Sequence, residues 1–255
     1  MKNEHTPNPE NPETFRIGEY DLSISREHRF GTDALCLAQF SLPAFGRFPP
    51  GFRAADLCTG CGIVPVVIAS AVARFPERYF AADISPDATE LLAETISGNK
   101  DTVLNNIVPL CRDLRDLAAL GTEIPAESCG LVTVNPPYFP GNSGAVRGSK
   151  REAAARHEVE CRFPDVARAA AFLLKYGGEL KLCHRPERLA EVTAALKQHS
   201  LEPKELTFLT NHNAKTPWLF LMKAKKGGKP GLTITTEDTE VYLGGNFISC
   251  RHADR

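Results

Sequence analysis

The chain has 255 residues, 42% hydrophobic and 24% charged, enough for one good-sized core and too few for more than two compact units. Its formal net charge of −1 excludes a protein that binds nucleic acid over its whole surface, so any such contact must come from a local patch. No apolar run approaches the ~18 residues that span a bilayer, and the polar, proline-rich start from Met1 to Glu13 lacks the apolar segment of an export signal. A cytoplasmic protein with a flexible arm over residues 1–14 is expected, with no membrane contact.

The eight cysteines follow no framework, and several sit in apolar runs such as Glu179-Leu180-Lys181-Leu182-Cys183, which reads as reduced core thiols. Cys58-Thr59-Gly60-Cys61 is a CxxC, but a structural zinc needs four ligands and no second CxxC or HxxxH answers it. No metal is expected. Redox use of the pair stays open.

From about residue 52 the pattern alternates between strand-like and helix-like segments. Arg53 to Leu57 predicts a strand, followed by a glycine-rich turn and an apolar stretch from Val64 to Val72. Tyr79 to Asp83 is the next strand. Ser85-Pro86-Asp87 opens a helix, with Pro in its first turn and Leu91, Leu92, Thr95 and Ile96 at helical spacing. Ile107 to Cys111 and Leu131 to Val134 are further strands. A helix is predicted from Asp165 to Tyr176, ended by Gly177-Gly178, then a strand from Glu179 to Cys183 and a helix from Pro186 to His199. Strand-like runs over Glu205–Leu209 and Trp218–Lys223 precede a basic, glycine-containing loop from Lys223 to Lys229 and a loose terminal hairpin. Repeated βα units with short connections imply an α/β fold with a doubly wound, mostly parallel, Rossmann-like sheet. Strands after the last helix suggest an antiparallel C-terminal edge. One domain is expected over residues 15–230, with an extension over 231–255.

Asp56-Leu57-Cys58-Thr59-Gly60-Cys61-Gly62 closes the first of these strands and opens the helix after it. Gly60 and Gly62 can bend sharply and admit a ligand close to the backbone. Asp83, with Ile84 beside it, ends the second strand, where a carboxylate grips ribose hydroxyls. A tight turn plus a surface Asp is the plain alternative; the joint placement favours a nucleotide-type cofactor. NAD fits poorly, because Pro65 stands where the third Gly of its fingerprint would be. An acidic residue before the loop also suits a cationic ligand better than a pyrophosphate. S-adenosylmethionine carries an ammonium, a sulfonium and a ribose, and no phosphate. Asp113, after the Ile107–Cys111 strand, is placed either to accept the adenine amine of such a cofactor or to cap a helix.

Leu131-Val132-Thr133-Val134 runs directly into Asn135-Pro136-Pro137-Tyr138. The prolines end the strand, because neither donates a ladder hydrogen bond and each fixes φ near −65°. An amide side chain, backbone carbonyls and an aromatic ring are left at the carboxyl end of a buried strand, where open α/β sheets bind ligands. Such a set suits a planar amine, and a simple strand-terminating turn is the alternative.

Together, Asp56 to Gly62, Asp83, Asp113 and Asn135-Pro136-Pro137-Tyr138 resemble class I S-adenosylmethionine-dependent methyltransferases of the amino-methylating type. Arg29-Phe30-Gly31-Thr32-Asp33-Ala34-Leu35 resembles a motif of bacterial valine-tRNA adenine-N6 methyltransferases. Ala155-Arg156-His157-Glu158 and Cys183-His184-Arg185-Pro186-Glu187-Arg188-Leu189 are similar to that family as well, and the similarity runs from about Arg16 to Gly231. The resemblance implies S-adenosyl-L-methionine as cofactor, bound by Gly31, Thr32, Asp33, Asp56, Thr59, Gly60, Gly62, Asp83, Ile84, Asp113 and Asn135. It implies tRNA as partner and an adenine N6 as acceptor, adenine 37 of a valine tRNA. Gly31, Thr32 and Asp33 would close over the methionine end, a role compatible with a helix N-cap at Thr32 or Asp33.

Methyl transfer to an amine needs no metal and no covalent intermediate, only the two partners held in line. The catalytic set implied is Asn135, Pro136 and Tyr138: the Asn135 side chain and the Pro136 carbonyl accept the amine hydrogens, and Tyr138, with Phe139 beside it and Pro137 before it, packs on the base. A base in folded RNA must be turned out to reach such a pocket. Arg147, Lys150, Arg151 and Arg156 suit phosphate contacts or, equally, an exposed helix start. Lys223, Lys225, Lys226 and Lys229 carry the same ambiguity, and His157 suits either a place in the site or, more often for such a residue, packing or capping. Thr235-Thr236-Glu237-Asp238 stands where the family tends to place Pro-Pro-Leu, so the C-terminal end is expected to differ. Protein-glutamine methyltransferases acting on release factors share the four-residue motif, but they carry a sizeable helical domain before the glycine loop. A cofactor-binding RNA-binding module without catalysis is the third reading, and an intact Asn135 to Tyr138 with Asp83 argues against it.

Overall fold

The computed structural model describes residues 13–137, 162–212 and 214–244. Strands β1 (Glu13–Ile17) and β2 (Tyr20–Ile24) form an antiparallel hairpin around Gly18, whose φ of +56° suits a two-residue turn. The first strand therefore starts at Glu13, inside the expected arm. Tyr20, Leu22 and Ile24 alternate with Asp21 and Ser23 and bury one face of the hairpin.

The remaining elements are α1 (Thr32–Phe40), β3 (Arg53–Leu57), α2 (Ile63–Ala71), β4 (Arg78–Asp83), α3 (Pro86–Gly98), β5 (Ile107–Cys111), α4 (Leu117–Glu123), β6 (Cys129–Val134), α5 (Phe163–Leu173), β7 (Leu174–His184), α6 (Leu189–Gln198), β8 (Leu201–Thr210), β9 (Leu219–Lys226), β10 (Thr233–Asp238) and α7 (Thr239–Leu243). Side chains at the end of α3 replace a missing strand beside β2. Asn99 Oδ1 accepts from the Asp21 N–H at 2.9 Å, Asn99 Nδ2 donates to the Asp21 carbonyl at 2.8 Å, and Thr95 Oγ1 accepts from the Ser23 N–H at 2.9 Å.

An eight-stranded sheet in the order β10-β8-β9-β7-β6-β3-β4-β5 forms the centre, and β9 runs antiparallel to both its neighbours. The chain steps outward from β3 to β4 and β5, then returns to the other side of β3 with β6. The crevice between β3 and β6 is thus the topological switch point, and the glycine loop after β3 and Asn135 after β6 flank it. Helices α1, α2 and α3 and the hairpin cover one face, around Leu37, Val67, Ile68 and Leu92. Helices α4, α5 and α6 cover the other, around Leu120, Val166, Leu173 and Leu196. Helix α2 is buried from Ile63 to Ala69, which is why its sequence reads as an unbroken apolar run rather than an amphipathic stripe.

Three expectations change. Helix α5 ends at Leu173, and Leu174 to Gly178 belong to β7, which meets β6 through a register shift between Cys129 and Leu131. Pairing with a neighbouring strand overrides the helical spacing there. The expected basic loop is largely strand β9: Lys223 pairs with Glu205 at 2.7 Å, and Lys226 Nζ donates to Glu127 and to the Ala171 and Leu174 carbonyls. Because β9 is antiparallel, Lys225 and Lys226 sit at the amino end of β7, at the opposite end of the sheet from Asn135. The terminal hairpin is replaced by β10, which pairs parallel to β8 and leads into α7 with Asp238 as its N-cap. The antiparallel strand is therefore third from that edge, and Thr233–Leu243 is continuous with the main sheet. Among the described residues no helix is long and apolar enough to cross a membrane.

Candidate active site

Cys58, Gly60 and Gly62 have φ of +57°, +55° and +81°, so the loop after β3 reverses by left-handed residues. A Cβ on Gly62 would lie 2.4 Å from Leu92 Cδ1, so glycine there lets α2 approach α3. A Cβ on Gly60 meets nothing within 4 Å, so that residue faces open space. The loop is held from beneath by Asp56, which is 1% exposed. Its Oδ2 accepts from Thr59 Oγ1 at 2.7 Å and its Oδ1 from Thr133 Oγ1 at 2.5 Å, with the Tyr79 hydroxyl 3.1 Å behind Thr133. Burial pushes the Asp56 carboxyl up to about 7; the hydrogen bonds from Thr133 and Thr59 oppose the rise and the charge of Asp83 adds to it. Asp56, expected from sequence to face a cationic ligand, lies instead beneath the loop and anchors it. Burial also pushes the Cys61 thiol up to about 12, which denies the CxxC a reactive thiolate at that position.

Asp83, at the end of β4, is half-buried and spans the rim of the loop. Its Oδ2 accepts from the Gly60 N–H at 2.8 Å and its Oδ1 from the Ser85 N–H at 2.9 Å. A carboxylate has about four acceptor sites, so room remains for hydroxyl donors. Ile84, 37% exposed, presents apolar surface beside it. Ser85 caps α3 and meets His28 Nε2 at 3.2 Å, tying the segment before α1 to this strand end. Asp113 lies after β5, next to β4, where the Arg112 N–H donates to the Asp83 carbonyl at 2.8 Å. Its carboxylate is paired with Arg115, Nη2 to Oδ2 at 2.6 Å and Nε to Oδ1 at 2.9 Å. Helix α4 is capped by Asp116 and not by Asp113. An adenine amine at Asp113 would share the carboxylate with that guanidinium.

Asn135 follows β6 across the crevice. Val134 is in register with Leu182 of β7, and the Cys183 thiol donates to Asn135 Oδ1 at 3.1 Å. Pro136 is buried and Pro137 half-buried. Tyr138, Phe139, Arg147, Lys150, Arg151, Arg156 and His157 lie outside the described residues. His184 is 2% exposed, between the rings of Phe163 and Phe220, and its Nδ1 accepts from the Arg185 N–H at 2.8 Å. Burial lowers its pKa to about 4, so it is neutral at physiological pH.

Helix α1 begins at Thr32 with Gly31 as N-cap and no side-chain cap, so neither Thr32 nor Asp33 plays the capping role. Asp33 Oδ1 instead accepts from the next residue's N–H at 2.9 Å. The far end of α1 is fixed by Lys181 of β7, which donates to the Phe40 carbonyl at 2.8 Å. Gly31, Thr32 and Asp33 line a cavity of about 500 Å³ with Arg185, Asn211 and Trp218, at the carboxyl ends of β7 and β8. A second hollow of about 380 Å³ lies between α3 and the amino end of β5, away from these loops. His28 and Thr133 were not singled out by sequence as site residues; His28 meets Ser85 and Thr133 meets Asp56 from far along the chain, and no local pattern marks either contact.

No family model and no curated protein sequence matches the chain. Solved structures do. A predicted O-methyltransferase from Agrobacterium tumefaciens is similar over 85% of this chain and 92% of its own, with a TM-score of 0.60 and 23% identity. The fold is the Rossmann-like fold of methyltransferases. Geranyl diphosphate C-methyltransferase from Streptomyces coelicolor, crystallised with S-adenosyl-L-homocysteine, is similar over 74% of this chain and 76% of its own, with a TM-score of 0.53 and 12% identity. A chain from a Haloferax volcanii complex of the Trm112 methyltransferase activator with its candidate methyltransferase has a TM-score of 0.51 and 15% identity, over 80% of this chain and 92% of its own. Oxygen- and carbon-methylating proteins share this methyltransferase fold, so it leaves the acceptor atom open.

Proposed function

We propose that the chain transfers a methyl group from S-adenosylmethionine to the exocyclic N6 of an adenine in tRNA, adenine 37 of a valine tRNA. The observation that carries this reading is Asn135, an amide at the carboxyl end of β6 with its oxygen held by Cys183, across the switch-point crevice from the Gly60–Gly62 loop. The site suits the cofactor: Gly60 faces open space, Asp83 has acceptor capacity at the rim, and Ile84 offers an apolar surface for a flat ring. Neighbours of the same fold bind S-adenosylhomocysteine, which supports the cofactor assignment.

When bound, S-adenosylmethionine supplies an electrophilic methyl on a sulfonium. The protein's contribution is position and electrostatics. An adenine amine is a weak nucleophile because its lone pair is delocalised into the ring. Acceptance of its hydrogens by Asn135 Oδ1 and the Pro136 carbonyl draws electron density onto the nitrogen and aims its lone pair at the crevice. The methylated nitrogen is cationic and strongly acidic, so it passes one proton to water, and no side chain need retain it. The buried Asp56–Thr133–Tyr79 network fixes the ends of β3 and β6 relative to each other, and so fixes the distance across which transfer occurs.

Incubating the purified protein with isotopically labelled S-adenosylmethionine and total tRNA lacking the modification is expected to yield N6-methyladenosine in the digest. Label found only in protein, or only in methylguanosine, overturns the reading; label in protein would point to a glutamine amide as acceptor.

A further inference from the structure

The cavity beside α1 is walled on one side by Gly31, Thr32 and Asp33, the residues expected to hold the methionine end of the cofactor, and on the other by Arg185, Asn211 and Trp218, which the methyl-transfer steps above do not use. Its walls mix one cation, one carboxylate, one amide and an indole: Arg185, Asp33, Asn211 and Trp218. The indole is fixed on several sides. Trp218 N–H donates to the Leu209 carbonyl at 3.0 Å, and its Nε1 donates to Thr239 Oγ1 at 2.8 Å. The Arg185 guanidinium lies 5.4 Å from the ring centroid, and its Nη1 donates to the Trp218 carbonyl at 3.0 Å. Two planar groups are thereby held together before any ligand arrives, so binding orders little.

Chemistry narrows the occupant. A bare phosphate would face the Asp33 carboxylate, whereas a nucleobase edge offers both donors and acceptors to Asn211 and Arg185. Nucleobases in single strands stack on aromatic rings and on guanidinium planes. A volume of about 500 Å³ lies within the range of roughly 300–1,000 Å³ usual for small-molecule sites. The register of the sheet places this platform close to the amide. Asn135 is bonded to Cys183 on the adjacent strand, and Arg185 follows two residues later. His184 pairs with Phe220, so Trp218 stands just before the next strand, two strand spacings across the sheet and three residues along it from Asn135, or ~14 Å.

We infer that the cavity receives a second nucleobase of the RNA, a close neighbour in the strand of the one presented to Asn135, stacked on the Arg185–Trp218 pair. This inference rests on RNA being the substrate. It assigns to Arg185 and Trp218 the recognition of sequence or strand geometry around the target.

Trp218 is the one tryptophan of the chain, so intrinsic fluorescence of the wild-type protein reports on this cavity. Titration with a single-stranded RNA trinucleotide is expected to quench it saturably, while inorganic polyphosphate, which has charge and no bases, leaves it unchanged. Arg185→Lys, which keeps the charge and loses the plane, is expected to raise KM for tRNA about tenfold, with S-adenosylmethionine affinity and melting temperature close to wild type. An absent quench, an equal quench by polyphosphate, or an unchanged KM in Arg185→Lys overturns the inference. N6-methyladenosine formation by the wild-type protein judges the RNA reading separately, so an active enzyme with an unresponsive Trp218 fails the cavity assignment alone.

Discussion

Asp56→Asn tests the loop anchor directly. The carboxyl sits at about 7 in the folded chain against an ordinary value of 3.8, a rise caused first by burial. A raised pKa means that the folded state holds the proton more tightly than the unfolded state. The stability linked to that proton is fully present below about 3.8 and is lost as pH rises through about 7. Three pK units at 1.36 kcal/mol each put the loss on the order of 4 kcal/mol. The asparagine keeps the shape, accepts one threonine hydroxyl and donates to the other, and has nothing to ionise. His184 works in the opposite sense: with its pKa lowered to about 4, its contribution is present above 6.5 and is lost as pH falls through about 4. The two slopes offset each other in the wild type between about pH 4 and 6.5, so the variant-minus-wild-type difference is the quantity to read. Urea unfolding of both proteins at intervals from pH 4.5 to 8 is expected to show Asp56→Asn gaining stability relative to wild type up to about pH 7, then levelling. A difference that does not change with pH refutes the reasoning, and would mean that Asp56 is solvated in the folded chain.

Other outcomes follow from the same geometry. Gly62→Ala forces a methyl to 2.4 Å from Leu92 Cδ1 at a φ of +81°, and thermal unfolding should show a loss of about 2 kcal/mol or more. Gly60→Ala, facing open space at a φ of +55°, should cost about 1 kcal/mol yet abolish calorimetric binding of S-adenosylmethionine. Cys183→Ala removes the donor on Asn135 Oδ1, and kcat for tRNA should fall about tenfold, the value of one hydrogen bond, with cofactor affinity retained; Cys183→Ser should restore most of it. Lys226→Ala leaves two carbonyls without their donor and should cost about 1–3 kcal/mol in unfolding free energy, while KM for tRNA stays within about twofold of wild type because the residue sits at the far end of the sheet.

Much of the fold was legible because the strands are short and buried and are broken by strong punctuation. Arg53–Leu57, Ile107–Cys111 and the Ser85-Pro86 helix start sit where their sequence put them. The misreadings share one cause. Leu174 to Tyr176 has helical spacing, and Lys223 to Lys229 has the composition of a solvated loop, yet Leu174 to Tyr176 and Lys223 to Lys226 are drawn into strands by neighbours far away in the chain. The edge position of β10 is of the same kind, since Thr233–Asp238 has no core face of its own and owes its state to pairing with β8.

Within the candidate site, sequence alone marked the glycines, the carboxylates and the Asn135 stretch, because each depends on local backbone chemistry: a left-handed turn, a strand end, a proline stop. It also bounded the protein as one α/β unit of near-neutral charge. Tertiary structure decided what those groups face. Asp56 turned out to be a buried anchor, Asp113 an ion-paired residue, and Cys183, Ser85 and His28 the partners that orient the rest. Burial, pairing and pKa depend on which distant residues are brought alongside, and a one-dimensional pattern does not encode those neighbours.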